Sequence, residues 1–476
     1  MHIRKILFTR LFEKPDFPIT TPPTGFLYVP AAICAAYPEI RMDFFDFSLP
    51  GESMGQFGKK LAEFRPDCVM FSGTYLERDQ FYQAAAAVRE LLPGAMTVCG
   101  GPLASCSPLE ILGSGAVDYI VCGEGEQRVI NLLQNLETGK NFCDGIGYKA
   151  GPDLHYTQPV KLLEDLDAVH FPKWDLIDFR EYSKIPGMNS ILRQSPYATV
   201  STSRGCPFSC TYCHKTMGKQ FRPRSPESVR DEIEQLVRRF GVREIHFIDD
   251  CFNLDLERAK KICRLIIDSK FRIGIAFPNA VKADLLDEEL IVLLKKAGCY
   301  SVTIAIESIT PEIVRLMDKK LDLGKARQNI SLLDRHGLFT SAYFIYGFPG
   351  ETGKSLWKNA VFANRLKIET VSFFRFIPYP GTKISADFFS DLDFSGIPSS
   401  QFHFFTESGR FNRSRLSATW LSGFRSAAYF LFYTNPVRIW RVLRKIPRTW
   451  TMFSRLPLDI WELVSRIWPD FLRFKV

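Results

Sequence analysis

No stretch of this 476-residue chain holds enough consecutive apolar residues to cross a bilayer as a helix. The opening MHIRKILFTRLF reads as a strand and lacks a cleavage site, so a secretory signal is not expected there. Without a secretory context, the twelve cysteines do not read as a disulfide framework, and reduced thiols in a cytoplasm fit better. Acidic residues are nearly missing from the end of the chain. From Gln401 onward thirteen Lys and Arg face four Asp and Glu, an excess equal to the whole-chain formal charge of +9. What remains is ordinary for a globular protein of two or three domains, with 46% hydrophobic and 24% charged residues.

Short apolar runs alternate with helical patterns over residues 1–144. Strands are expected at 5–11, 42–47, 67–72, 96–99 and 119–122, with the clearest helices at 77–92 and 127–136. Alternation of this kind predicts βαβ units in a doubly wound, Rossmann-like parallel sheet. Ligands of such sheets sit at the carboxyl ends of the strands. Those ends carry Ser72, Gly73 and Thr74, then Gly100, Gly101 and Pro102, then Gly123 and Glu124, small residues that let a ligand approach the backbone. Residues 145–195 read as a hairpin around Gly-Pro-Asp followed by a Pro-containing linker. From 196 to 386 the alternation resumes with six βα units, at 198–203, 244–249, 272–277, 301–306, 340–346 and 370–377. That predicts a partial TIM-type barrel with its chemistry at the C-terminal strand ends.

The loop after the first barrel strand is SRGCPFSCTYCH, residues 203–214, with Cys206, Cys210 and Cys213. A 4Fe–4S cluster ordinarily takes four thiolates, so three leave one iron open to a substrate or cofactor. Zinc is the competing ligand. It usually takes four ligands in paired C-x-x-C arrangements, and His214 would have to complete the set. The cluster reading is preferred. Polar residues then recur at the ends of the following strands: Asp249 and Asp250, Asn279 and Lys282, Glu307, and Gly347 with Glu351.

The C-x3-C-x-aromatic-C run resembles the signature of the radical S-adenosylmethionine (SAM) superfamily. That resemblance implies that SAM chelates the open iron and is cleaved reductively to a 5′-deoxyadenosyl radical. Tyr212 would lie beside the adenine, and Asp249 and Asp250 would accept from the methionine amino group. Glu307 would hydrogen-bond the ribose with Asn279 nearby. Lys282 stands where relatives often carry an arginine for the methionine carboxylate, and only arginine could bind it bidentately. Gly347, Pro349 and Gly350 would let the backbone reach adenine. The first half resembles the cobalamin-binding domain of one branch of that superfamily, through PPTGFLY at 22–28, Gly100-Gly-Pro102 and VDYIVCGEGE at 117–126. No Asp-x-His-x-x-Gly run occurs, so cobalt is either bound without that histidine, the preferred reading, or the cofactor has been lost.

The resemblance implies C-methylation of a hydrophobic or natural-product substrate, supported by a low-potential donor such as ferredoxin or flavodoxin. Radical oxidation or cyclisation of a tetrapyrrole is the alternative, and a corrinoid or SAM sensor without turnover a third. Residues 387–476 mix Trp, Phe and Leu with Arg and Lys, with helices expected at 422–433, 436–446 and 456–471. Two roles fit: a cap over the substrate side of the barrel, aromatics inward and charges solvated, or contact with a membrane surface. Nucleic acid is not expected, since no RNA-binding module accompanies the charge.

Overall fold

Hydrophobic residues on both faces of a strand require cover on both sides, and the first domain supplies it. The computed structural model describes residues 3–13, 19–138, 142–159, 161–189, 191–214, 216–404 and 409–454. Its first sheet comprises β1 (Lys5–Arg10), β2 (Arg41–Asp46), β3 (Cys68–Ser72), β4 (Met96–Gly100), β5 (Tyr119–Val121), β6 (Ile146–Ala150) and β7 (Asp153–Tyr156). They are ordered β2-β1-β3-β4-β5-β6-β7, parallel except for the last two. Leu7, Val69 and Phe71 point to one apolar layer, while Ile6, Phe8, Cys68 and Met70 point to the other. The hairpin placed by sequence in the joint is β6–β7, and it extends this sheet.

The second sheet is wholly parallel. Its strands are β8 (Tyr197–Val200), β11 (Glu244–Phe247), β12 (Gly274–Val281), β13 (Cys299–Glu307), β14 (Phe339–Tyr346) and β15 (Thr370–Arg375), adjacent in that order. Between the first two of these, β9 (Ser203–Arg204) and β10 (Arg222–Pro223) pair as a short antiparallel ribbon that brackets the cysteine loop. Six strands and their crossover helices make the partial barrel that the sequence predicts, and its strand ends face the first domain.

Two devices lock the sheets together. One is apolar: Phe71, Tyr75 and Leu103 of the first domain share a core with Phe348, Phe376, Phe389 and Phe402. The other is ionic. Glu124 accepts from Arg222 at 2.9 Å and from Arg204 at 3.0 Å, and Glu126 accepts from Arg204 at 2.5 Å. These side chains are buried, and a buried charge is tolerated only when paired.

The described part of the C-terminal region packs on three sides of the body: the first domain, the edge strand of the barrel and its underside. Residues 387–402 bridge to the first domain, where Arg78 donates to the carbonyls of Phe394 at 2.9 Å and Ile397 at 2.6 Å. The helix Ala418–Tyr433 covers the edge strand β15. There the Phe373 N–H donates to the Tyr429 hydroxyl at 3.0 Å and the Val371 N–H to Tyr433 at 3.3 Å. An edge strand's unpaired N–H groups are thereby satisfied. The helix Pro436–Lys445 lies under the barrel, at the strand ends remote from the cysteines, since Lys445 reaches the carbonyl of Leu338 just before β14. The helix expected at 456–471 lies outside the described residues.

Candidate active site

Gly205 opens the cysteine loop in the left-handed region, at φ +81°, and a Cβ there would run into the carbonyl oxygen of Gln220. Asp249 secures the loop from the neighbouring strand. Its carboxylate accepts from Thr202 N–H at 3.0 Å, Thr202 Oγ1 at 2.7 Å and Ser203 Oγ at 2.5 Å. Expected beside the methionine amino group, Asp249 is instead turned inward and buried. Its neighbour Asp250 alone projects into the open space.

Cys206, Cys210 and Cys213 all line one cavity of about 290 Å3, together with Tyr212, Asp250, Asn279, Lys282 and Glu307. Among the described residues no group of three or more His, Cys, Asp or Glu is gathered for a single metal ion. His214, the fourth ligand required by the zinc alternative, shares a hydrogen bond with Thr216 Oγ1 through Nδ1 at 2.6 Å. Burial raises the thiol pKa of Cys206 and Cys210, with the Lys319 charge opposing it at both.

The remaining walls are set by local hydrogen bonds. Glu307 Oε1 accepts from the Tyr212 hydroxyl at 3.3 Å and from Lys319 Nζ at 3.2 Å. Burial, then the Glu307 charge, hold the Tyr212 hydroxyl well above its usual pKa, so it stays a donor. Asn279 Nδ2 donates to the carbonyls of Ile248 at 3.1 Å and Asp249 at 3.0 Å, which leaves its oxygen as an acceptor. Lys282 is held at 2.8 Å by both oxygens of Asp284 and lies 4.8 Å from the Phe208 ring centroid. Two residues of this wall, Ala280 at φ +74° and Glu307 at φ +67°, occupy backbone conformations that cost L-residues energy. Such strain collects at functional sites. Gly347 is not in this wall; its N–H donates to buried Glu351 at 2.7 Å.

A second cavity, of about 330 Å3, lies between the carboxyl ends of β3, β4 and β5 and the barrel mouth. Ser72, Gly100, Gly101, Pro102, Gly123 and Glu124 line it as expected from sequence, whereas Gly73 and Thr74 do not. Gly73 packs against Leu11, and Thr74 caps a short helical turn with Glu77. Gly101, at φ +73°, has no room for a Cβ against Ser72 Oγ. Glu124 faces the space only in part, because its carboxylate is committed to Arg222 and Arg204. The sequence reading missed the barrel's contribution of Ser201, Arg204 and Ile248, and it missed Lys319, which follows the short helix Pro311–Met317 and so is separated in sequence from the strand end it reaches in space. His214, Met217 and Asp250 belong to both cavities.

Glycine-lined strand ends above an apolar crevice fit a broad planar ligand, and three convergent thiols fit a cluster with an open iron. Residues 18–133 match the B12 binding domain family and residues 200–363 the radical SAM superfamily. The chain belongs to the radical SAM superfamily, in the branch with a B12 binding domain ahead of the barrel.

Within that class it is similar to an uncharacterized methyltransferase of Pyrococcus horikoshii, 28% identical over 370 residues, 77% of this chain and 78% of that one. It is also 27% identical over 351 residues to the anaerobic magnesium-protoporphyrin IX monomethyl ester cyclase of Rubrivivax gelatinosus, 71% of this chain and 60% of that one. The solved structure of the radical S-adenosylmethionine methyltransferase TsrM of Kitasatospora setae, with cobalamin and a 4Fe–4S cluster bound, shares the fold. Its TM-score is 0.65 at 18% identity, covering 82% of this chain and 75% of that one.

Proposed function

We propose that the protein is a cobalamin-dependent radical SAM methyltransferase acting on an unactivated carbon. The observation that carries this reading is the wall common to the two cavities, formed by His214, Met217 and Asp250. A carbon activated on one side of that wall lies within reach of a donor on the other, and such positioning is what a protein contributes to cofactor chemistry. When bound, the cluster with SAM supplies a hydrogen-abstracting radical, and the corrinoid supplies a methyl group.

The residues divide the remaining work. Cys206, Cys210 and Cys213 hold the cluster. Asp250 is the free acceptor for the methionine amino group, and Asp249 positions the loop that carries the cysteines. Glu307, fixed by Tyr212 and Lys319, accepts from the ribose hydroxyls, with Asn279 Oδ1 as a second acceptor. Lys282 can contribute charge to the methionine carboxylate only at the expense of Asp284. The backbone at Gly100, Gly101 and Gly123 carries the corrin side. Reduction requires a low-potential donor, ferredoxin or flavodoxin by chemistry.

The name of the Pyrococcus relative supports methyl transfer, and that of the Rubrivivax relative supports cyclisation. Turnover of reconstituted enzyme with methyl-deuterated SAM separates them, using a hydrophobic extract from anaerobically grown cells as substrate. A product carrying a trideuterated methyl group, and so about three mass units heavier than its light methylated form, is expected. Formation of 5′-deoxyadenosine with no labelled methyl product would favour cyclisation or oxidation.

A further inference from the structure

The helix Pro436–Lys445 is built inside out. Successive residues turn by about 100° in an α-helix. Arg438, Arg441 and Lys445 consequently share one side, and that side faces the protein. Arg441 donates to Asp334 at 2.8 Å and Glu369 at 2.7 Å. Lys445 pairs with the same two carboxylates at 2.8 Å and 3.1 Å. Arg438 donates to the Leu366 carbonyl at 2.9 Å and is 3% exposed. The opposite side is apolar and open to solvent, with Val437 63%, Ile439 49%, Trp440 58% and Leu443 63% exposed. Just beyond the helix, Trp450 is 84% and Phe453 53% exposed. Ordinary surface helices do the reverse, and clustered apolar exposure marks a binding surface.

The charge around this face says what covers it. Not one Asp or Glu occurs between Ser408 and Ser454, while Arg444 and Arg448 are exposed beside the apolar stripe. Arg444 lies 5.1 Å from the Trp440 ring. A tryptophan-bearing apolar stripe rimmed by unopposed arginines complements a surface that is apolar beneath a negatively charged layer. We propose that the underside of the barrel, through Val437, Trp440, Leu443 and Trp450 with Arg444 and Arg448, docks on the surface of an anionic lipid bilayer. The helix lies flat on that surface, and among the described residues no helix is long and apolar enough to cross it. The cysteine loop then faces away from the lipid, because the helix sits at the opposite ends of the strands. This inference does not depend on the reaction catalysed.

The test is flotation of the full-length holoprotein with vesicles of phosphatidylcholine containing about a quarter phosphatidylglycerol. The protein is expected to float with these vesicles, to float much less with pure phosphatidylcholine, and to be released as salt approaches 1 M, where the Debye length is about 3 Å. Trp440→Glu combined with Leu443→Glu should cut binding by about tenfold or more, with circular dichroism and SAM cleavage unchanged. The milder pair Arg444→Gln and Arg448→Gln guards against misfolding and should weaken binding to anionic vesicles alone. Failure of the wild type to float, or equal flotation of all variants, would overturn the proposal. So would a wild-type dimer, without vesicle binding, that the Trp440→Glu, Leu443→Glu variant dissociates, since the face would then be covered by a second copy.

Discussion

At the scale of single residues, burial decides what each carboxylate can do. Glu351 is 1% exposed, accepts from the N–H groups of Gly347 at 2.7 Å and Phe348 at 3.2 Å, and is pushed by burial from 4.5 to about 8. Its folded-state pKa lies above the unfolded one, so the folded form binds the extra proton between those values. Stability from this group is complete at low pH and drains away as pH climbs from about 4.5 to about 8. Glu351→Gln keeps an acceptor for both N–H groups. Thermal melts across that range should show a flatter pH profile in the variant, the slope lost being at most about 1.4 kcal/mol per pH unit. Unchanged slopes would place the titration elsewhere. Asp249 and Asp250 make the same point about legibility. Adjacent and chemically identical in sequence, they are separated only by which way the strand end turns. One reaches Thr202 and Ser203 while the other faces the cavity, and no local pattern encodes that choice.

At the scale of elements, the β9–β10 ribbon is the piece that registers the cysteine loop against the first domain. Arg222 gives Nη1 to both oxygens of Glu124 at 2.9 Å and to the Leu163 carbonyl at 2.6 Å, and Nη2 to the Met217 carbonyl at 2.8 Å. Its side chain is 2% exposed and that of Glu124 1%. Arg222→Met would leave Glu124 with Arg204 as its one charged partner, beside the Leu163 N–H, and should cost about 3–5 kcal/mol, the usual loss when one member of a buried pair is removed. Urea unfolding followed by tryptophan fluorescence measures it. Adding Glu124→Gln should restore part of the loss; no restoration would mean that Arg222 acts through its carbonyl contacts instead.

The strands themselves were legible, because elements buried on both faces read as plain apolar runs between glycine-containing turns. β1, β3, β14 and β15 accordingly begin and end within one or two residues of expectation. Helix Pro436–Lys445 was legible as a helix but not in its orientation. Amphipathic spacing defines two faces without saying which is inside, and here the buried carboxylate of Glu369, with Asp334, draws the cations inward. The Glu124 clamp was hidden for a related reason. Its partners Arg204 and Arg222 are roughly 80 and 98 positions away and belong to another domain.

For the molecule as a whole, the consequence is two cofactor-sized spaces meeting at one wall. The first sheet presents glycines where its strands end, the barrel presents thiols where its own begin their return, and residues 387–402 tie the two together. The two halves of this arrangement were readable separately from the motifs; their meeting at His214, Met217 and Asp250 was not, because it depends on how two sheets face each other. Everything catalytic rests on three thiolates leaving one iron open to SAM. Electron paramagnetic resonance of the anaerobically reconstituted, dithionite-reduced protein tests that most directly. A 4Fe–4S signal that shifts on addition of SAM, and that disappears in Cys210→Ala while the first domain still binds cobalamin, is the predicted result. Zinc at these thiols, or a cluster signal indifferent to SAM, would contradict it.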